Sequence, residues 1–179
     1  YTDGPTVTVL DNTGSLAKTG YTFGGWNTQA DGNGTNYTVG NQFTINANTT
    51  LFAKWNIIKY TVTYDGNTND GGTAPVDGSS PYDYNTTVTV LGEGTLTKTG
   101  YSFAGWNTEA GGGGDPYAES ATFNALANVT LYAQWTINPH TITYNGNGST
   151  AGSVPVDSAS PYDYGSIVTV KDNTGNLEI

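Results

Sequence analysis

The sequence predicts a mostly β protein made of tandem modules of about 80 residues. An internal repeat sets the module length: residues 20–28 (GYTFGGWNT) return as residues 100–108 (GYSFAGWNT), and residues 51–55 (LFAKW) return as residues 131–135 (LYAQW). Similarity at a fixed spacing is the sign of a repeat architecture and must be recognised before a fold is assigned. No segment keeps a helical period of apolar residues, whereas Thr, Val and Tyr, which favour strands, are frequent.

The first 59 residues predict three main strands. The alternation of Thr with apolar residues at positions 6–10 predicts the first strand. Residues 21–23 begin the second, with its two aromatic side chains on one face, and the glycine pair at 24–25 predicts a bulge or a close approach of another segment. Residues 51–55 predict the closing strand.

Residues 60–138 contain every part of the pattern and are predicted to be one complete module. A strand at residues 60–64 is followed by a long glycine-rich loop at residues 65–83. Three further strands are predicted at residues 87–91, 101–106 and 131–135. A short helical turn near Leu96 or Ala127 is compatible with the sequence.

Residues 139–179 repeat only the opening of the module. Residues 141–144 match residues 61–64, and residues 160–164 (SPYDY) match residues 80–84 (SPYDY). Residues 1–59 and 139–179 are therefore predicted to be complementary parts of one module. A partial module exposes strand edges that recruit another strand, so we expect the two parts to pair, in a neighbouring molecule or within the same chain.

Together these motifs resemble the internalin B-repeat family, also called the Listeria–Bacteroides repeat. That family has Thr-Val-Thr-Tyr near its start, Gly-Tyr-x-Phe-x-Gly-Trp in the middle and Leu-Tyr-Ala-x-Trp at its end, which match residues 61–64, 100–106 and 131–135. The resemblance covers nearly the whole chain, and the loop at residues 65–83 departs from the family by its length. It implies small β-grasp, ubiquitin-like modules of bacterial or archaeal cell-surface proteins, with no shared catalytic residues or common ligand.

The composition excludes several classes of function. Fifteen acidic and five basic residues give a net charge of −10, which disfavours binding to nucleic acid or to an anionic membrane. No apolar run is long enough for membrane insertion. The chain has no Cys and a single His, His140, which takes the place of Tyr60. The sequence therefore lacks the combination of residues that a catalytic triad or a zinc site requires. We expect neither a cofactor nor enzymatic activity.

Eight aromatic residues are predicted to be anchors of the core or of the contacts between modules. One face of the last predicted strand carries Leu131, Ala133 and Trp135. Because the other two residues are apolar, the indole is expected to face the core rather than a sugar. Truncating a buried Trp costs roughly 3–5 kcal/mol, so a module depends on such a residue to fold. The anchors are Tyr21, Phe23, Trp26, Trp55, Tyr101, Phe103, Trp106 and Trp135.

Two other sets of residues are candidates for binding. Four tyrosines that follow a Pro in a loop are candidate platforms for a sugar ring, or they brace the loop against a neighbour; they are Tyr82, Tyr84, Tyr162 and Tyr164. Four aspartates in glycine-rich surroundings are weak calcium candidates; they are Asp77, Asp83, Asp157 and Asp163. Calcium takes about six to eight oxygen ligands. Turn formation is the favoured role, because Asp65 and Asp70 have no acidic counterparts in the last copy.

The function predicted from these observations is structural. We expect a repeat segment of an extracellular, cell-surface protein that acts as a stalk or spacer, or as the subunit of a filament assembled by strand complementation. Its partners would be neighbouring repeats or copies of itself. The alternative is an adhesin module that binds a glycan or a host surface protein through the recurring Tyr and Trp residues. The chain opens on Tyr1 rather than Met, as expected for a mature product or an excerpt of a longer protein.

Overall fold

The computed structural model describes residues 4–179, so only the first three residues of the predicted 1–59 segment lie outside it. The described part is all-β: it contains fifteen short strands and no helix. The strands are β1 (Thr6–Thr8), β2 (Tyr21–Asn27), β3 (Asn36–Tyr37), β4 (Gln42–Thr44), β5 (Phe52–Ile57), β6 (Lys59–Tyr60), β7 (Val62–Asp65), β8 (Tyr82–Asp83), β9 (Thr87–Thr89), β10 (Tyr101–Asn107), β11 (Pro116–Tyr117), β12 (Thr122–Asn124), β13 (Val129–Ile137), β14 (Pro139–His140) and β15 (Tyr162–Asp163).

The first of two compact units contains the described residues up to Val62, together with Gly78–Thr89 and Thr122–Val129. Its largest sheet has the order β3-β2-β5, with Phe23 opposite Trp55 in an antiparallel pair. Three two-stranded sheets accompany it: β1 with β4, β6 with β8, and β9 with β12. The unit therefore combines the first repeat copy with two segments of the second.

The second compact unit contains Thr63–Asp77, Val90–Ala121 and Thr130–Ile179. Its main sheet has the order β11-β10-β13-β7, and all of it lies in this unit except the first residues of β7 and β13. A two-stranded sheet pairs β14 with β15. Within the main sheet Phe103 lies opposite Trp135, as Phe23 lies opposite Trp55 in the first unit.

Bulges interrupt the long strands of both repeat copies, and the first lies at the glycine pair 24–25, where the sequence predicted a bulge or a close approach. In β2 the register shifts between Phe23 and Trp26, and in β10 it shifts between Phe103 and Gly105. A bulge adds residues on one strand and turns the chain locally. The Phe and the Trp that follows it are thereby brought into edge-to-face contact, with ring centroids 5.3 Å apart in the first copy and 5.1 Å in the second.

The buried side chains are mostly aliphatic, and they include one of the four Trp residues. Trp106 is 1% exposed and is the largest of them, so it is a major part of the core of the second unit. The buried apolar residues are Val9, Val62, Val88 and Ala125 in the first unit and Val90, Leu96, Trp106, Leu131 and Ala133 in the second.

Three local predictions differ from the structure. The single strand predicted at residues 60–64 is two strands, β6 and β7, because its two halves pair with different partners. Residues 141–144 form no strand; among residues 4–179 no strand lies beside them as β13 lies beside β7. Leu96 follows a turn and Ala127 lies in a bend, so neither position begins a helix. Nowhere in residues 4–179 is there a helix of the length and apolarity needed to cross a membrane.

Candidate functional site: the junction between successive repeats

The segment of residues 80–84 closes over the end of the preceding repeat copy. Tyr84 donates its backbone N–H to the carbonyl of Ile58 at 2.8 Å, and Ile58 donates its own N–H to the carbonyl of Gly20 at 2.9 Å. The Tyr84 ring lies directly against Gly20: a Cβ built on this glycine would be 2.0 Å from Cδ1 of the ring. Gly20 also has a φ of +79°, a conformation that side chains disfavour. We call residues 80–84 the tyrosine clasp.

A short ladder holds the clasp beside the residues that link the two copies. Lys59 lies opposite Asp83 and Tyr60 opposite Tyr82 in the antiparallel pair of β6 and β8. The Lys59 ammonium also forms an ion pair with the Asp83 carboxylate. Both side chains are about half exposed, so this pair contributes at most about 1 kcal/mol. The backbone ladder and the ring on Gly20 are therefore the main contacts of the clasp.

The same clasp recurs one repeat later, at residues 160–164. Tyr164 donates its backbone N–H to Asn138 at 2.9 Å, and Asn138 donates its N–H to Gly100 at 2.8 Å. A Cβ on Gly100 would again be 2.0 Å from Cδ1 of the tyrosine, and φ is +78°. His140 replaces Tyr60, with its ring 6.1 Å from that of Tyr164. The backbone geometry recurs although Pro139 stands in place of Lys59, so the ion pair is not what forms the clasp.

The carboxylate of Asp157 is buried and holds the second clasp in place. The Tyr162 hydroxyl donates to Oδ2 of Asp157 at 2.6 Å, and Nζ of Lys171 lies 3.7 Å from Oδ1. The Asp157 side chain is 1% exposed. The hydrogen bond to Asp157 raises the pKa of Tyr162 to about 12, and the same bond lowers the pKa of Asp157. The candidate tyrosines at positions 162 and 164 therefore have partners within their own repeat junction.

Trp106 and Trp26 occupy equivalent positions with different burial. Nε1 of Trp106 donates to the carbonyl of Leu91 at 2.8 Å, and Nε1 of Trp26 donates to that of Leu10 at 2.9 Å. Trp106 is buried and also contacts the ring of Tyr64 edge-to-face at 4.8 Å. Trp26 is half-buried. The other six predicted anchors are half-buried too: Tyr21, Phe23, Trp55, Tyr101, Phe103 and Trp135.

One of these half-buried indoles borders an open groove in the second unit. Nε1 of Trp135 donates to the carbonyls of Gly66 and Asn67, both at 3.1 Å, so the polar edge of its ring faces the protein. Its ring packs edge-to-face on Phe103 at 5.9 Å. The groove has a volume of about 540 Å³; its lining includes Glu93, Lys98, Thr99, Tyr101, Phe103 and Trp135.

The calcium candidates do not form a cluster in the part of the chain that the structure describes. No group of three or more acidic or His side chains within residues 4–179 is placed to hold a metal ion. Asp83 faces Lys59, and Asp157 accepts a hydrogen bond from Tyr162. Calcium binding by Asp77, Asp83, Asp157 and Asp163 stays a prediction.

Comparison with known proteins identifies the family. The chain matches the Listeria-Bacteroides repeat domain over residues 1–54 and 60–134. It belongs to this repeat family. The two matched stretches include the two glycines on which the clasp tyrosines lie, Gly20 and Gly100. The resemblance drawn from the repeated motifs is thus confirmed.

Relatives of this repeat segment are longer proteins. The chain is 45% identical over 151 residues to the "Putative Gly-rich membrane protein" of Evansella cellulosilytica, covering 81% of this chain and 17% of that protein. It is 34% identical over 139 residues to Internalin H of Listeria monocytogenes, covering 73% of this chain and 23% of that protein. The chain therefore spans less than a quarter of the length of either relative. No solved structure matches it.

Sequence reasoning missed two buried polar residues at equivalent positions of the Listeria-Bacteroides repeat, Asn27 and Asn107. Asn107 is 3% exposed, and it organises the loop that follows β10. Its Oδ1 accepts the N–H groups of Glu109 and Gly114 at 2.8 and 3.0 Å, while its Nδ2 donates to the carbonyls of Gly112 and Gly114. Asn27 makes the same set of contacts in the first copy. The recurrence of Trp-Asn-Thr was the available signal, since an Asn retained beside a core Trp has a structural role.

Proposed function

We propose that this chain is a structural repeat segment of a bacterial or archaeal cell-surface protein, in which β-grasp-like modules are joined in series as a stalk or spacer. Membership of the Listeria-Bacteroides repeat family supports the proposal. The names of the two relatives, a putative Gly-rich membrane protein and an internalin, support placement at the cell envelope. The proposal assigns no catalytic step and no cofactor to the chain.

The observation that carries this proposal is the recurrence of the clasp. A ring from one repeat copy lies on a glycine of the preceding copy at both junctions, with Tyr84 on Gly20 and Tyr164 on Gly100. An aromatic ring packed on bare backbone, beside two backbone hydrogen bonds, leaves little freedom at the link. Each junction therefore acts as a rigid connection between two repeat copies. A series of such connections would make the array of repeats stiff.

Amide hydrogen exchange tests this role of the clasp. In Tyr84→Ala, the amides of residues 84 and 58 should exchange faster than in the parent chain, because the ring that packs on Gly20 beside their hydrogen bonds is gone. Tyr84→Phe is the matched control and should keep the parent rates, because it keeps the ring. Equal rates in all three chains would show that the junction is not held by the clasp.

The structural role also has a self-assembling form. Copies of the chain, rather than only neighbouring repeats, would then be the partners, and head-to-tail contacts would build a filament. Within residues 4–179, β5 is the last strand of its three-stranded sheet, and an edge of this kind can pair with another strand.

The second candidate is an adhesin module, and the groove beside Trp135 is the observation that favours it. Tyr101, Phe103 and Trp135 supply flat apolar surface, and Glu93 and Thr99 supply polar groups at its border. This combination suits a neutral oligosaccharide, whereas the net charge of −10 disfavours a polyanionic one.

Saturation-transfer NMR with cellotriose, chitotriose and maltotriose tests the adhesin candidate. Binding of one trisaccharide that is lost in Tyr101→Ala and kept in Tyr21→Ala would place the glycan in the groove of the second unit. Loss of binding in Tyr82→Ala and Tyr162→Ala instead would assign it to the clasp tyrosines, and either result would rank the adhesin above the spacer. Absence of binding to all three sugars would leave the spacer as the proposed function.

A further inference from the structure

We infer that the complete repeat copy contains a mechanical clamp, formed by β7 and β13, through which the protein resists tension. The inference rests on the proposed function and deepens it, because tension acts on modules that are joined in series. Such tension enters the complete copy just before β7 and leaves it just after β13. The two strands are hydrogen-bonded neighbours in the main sheet of the second unit, so the tension acts directly on their pairing.

The contacts between β7 and β13 show that the two strands run in the same direction. The hydroxyl oxygens of Thr63 and Thr130 lie 3.0 Å apart, at a sequence separation of 67 residues. Farther along the pair, Nδ2 of Asn67 donates to the carbonyl of Ala133 at 2.7 Å, at a separation of 66 residues. The separation between antiparallel strands changes with every step along the pair, whereas between parallel strands it stays nearly constant. The pair is therefore parallel.

The parallel arrangement places the two pulled residues at opposite ends of the strand pair. Tension pulls β7 from its first residue, Val62, and β13 from its last residue, Ile137. The force therefore slides one strand along the other, and all contacts of the pair have to break together. Two strands that are pulled from the same end separate one contact at a time, which requires less force.

Side-chain hydrogen bonds hold the end of β7 against this sliding motion. Asn67 lies just after β7, and its Nδ2 donates to the carbonyls of Ala110 and Ala133 at 2.8 and 2.7 Å. In the opposite direction, Nε1 of Trp135 donates to the carbonyls of Gly66 and Asn67, both at 3.1 Å. The segment that follows β7 is thus bound to β13 by donors from both sides, and sliding has to break these bonds.

The ring of Tyr64 adds a steric barrier to the movement of β7. It packs edge-to-face on Trp106 at 4.8 Å, and the Tyr64 hydroxyl accepts the N–H of Leu91 at 3.0 Å. Trp106 is 1% exposed, so the tyrosine ring cannot move along the strand direction without displacing a close-packed core residue. The clamp therefore combines backbone pairing, side-chain hydrogen bonds and core packing at one pair of strands.

Optical tweezers test the clamp in the whole chain, which has no Cys, so DNA handles can be attached at introduced cysteines. The sliding geometry uses Thr61→Cys with Thr136→Cys, at opposite ends of the strand pair. The peeling geometry uses Asp65→Cys with Thr136→Cys, near the same end. All three residues are exposed. We expect the complete copy to unfold at a force at least about twofold higher in the sliding geometry, because its contacts break together.

Two substitutions in the sliding geometry test the side-chain bonds of the clamp. Asn67→Ala and Trp135→Phe should each lower the unfolding force, because each removes hydrogen bonds between β13 and the segment after β7. Asn69→Ala is the matched control and should keep the parent force. Asn69 donates to the carbonyls of Gly71 and Gly72, within its own loop.

Equal unfolding forces in the two geometries would overturn the inference. An unchanged force in both Asn67→Ala and Trp135→Phe, or an equal decrease in Asn69→Ala, would also overturn it. Because the handle at residue 61 follows β6, the applied tension does not pass through the ladder of the clasp. The hydrogen-exchange test of the clasp therefore decides the proposed function separately.

Discussion

Gly20 and Gly40 have nearly the same backbone conformation, with φ of +79° and +81°, but only Gly20 lies beneath an aromatic ring. A side chain on Gly40 would meet no atom within 4 Å, whereas one on Gly20 would meet the ring of Tyr84 at 2.0 Å. Substitutions at these two glycines therefore separate two contributions to the free energy of unfolding: the strain of the backbone and the displacement of the Tyr84 ring.

Replacing Gly20 with Ala should therefore destabilise the chain more than replacing Gly40 with Ala. Gly40→Ala should cost about 1 kcal/mol, because L residues disfavour positive φ. Gly20→Ala should cost at least about 1 kcal/mol more, because it also displaces the Tyr84 ring. Urea denaturation of each variant measures the difference, and in a Tyr84→Ala background the excess should vanish. Equal costs at the two glycines would refute the role of the ring.

Replacing Trp106 with Ala should destabilise the chain more than replacing Trp26 with Ala. Trp106 is 1% exposed, so the substitution leaves a cavity and should cost roughly 3–5 kcal/mol. Trp26 is half-buried, so its removal loses fewer packing contacts. The indole hydrogen bond does not distinguish the two variants, because Trp106 donates to Leu91 and Trp26 to the equivalent Leu10. Urea denaturation followed by circular dichroism should rank the two variants. A larger loss at Trp26 would contradict the packing described for the two copies.

Replacing Asn107 with Ala should loosen the loop between β10 and β11. The substitution removes both acceptor and donor contacts, leaving the N–H groups of Glu109 and Gly114 without their partner. Losing a buried hydrogen-bonding partner costs about 1–3 kcal/mol. Faster amide exchange at Glu109 and Gly114, together with a lower unfolding midpoint, is the expected result. Asn33→Ala is the control, because the contacts of Asn33 are exposed and local.

The pair formed by Tyr162 and Asp157 should make stability depend on pH at both extremes. The pKa of Tyr162 is raised from 10.0 to about 12 in the folded chain, so its contribution is complete below pH 10 and is lost as the pH rises through 12. The pKa of Asp157 is lowered, so its contribution is complete above the ordinary value of 3.8 and is lost as the pH falls through the folded value.

Spectrophotometric titration of the parent chain and of Tyr162→Phe checks this assignment. The difference between the two curves isolates one phenol, which should ionise near pH 12 rather than near 10. Stability measured between pH 10 and 12 should fall more steeply in the parent chain than in the variant. A difference curve centred near pH 10 would show that the hydrogen bond to Asp157 is absent in solution.

Several features could be predicted from local patterns because they depend on neighbouring residues along the chain. Strand-forming alternation located β1, β2 and β10, and the glycine pair at 24–25 located a bulge. The shared motifs identified the repeat family. The junction was harder to predict, because Tyr84 and Gly20 are far apart in sequence. The loop position of the clasp tyrosines left both a sugar platform and a brace open, and the contact with Gly20 favours the brace.

The sequence by itself determined the repeat, the strand-rich character and the identity of the residues kept between copies, because these are properties of order and composition. Only the tertiary structure decided that Trp106 is buried while Trp26 is half-buried, and that residues 62–65 form a strand while residues 141–144 do not. The physical reason is that burial and ladder formation need a partner surface. The same motif therefore takes a different state in each copy, according to the distant segments that pack against it.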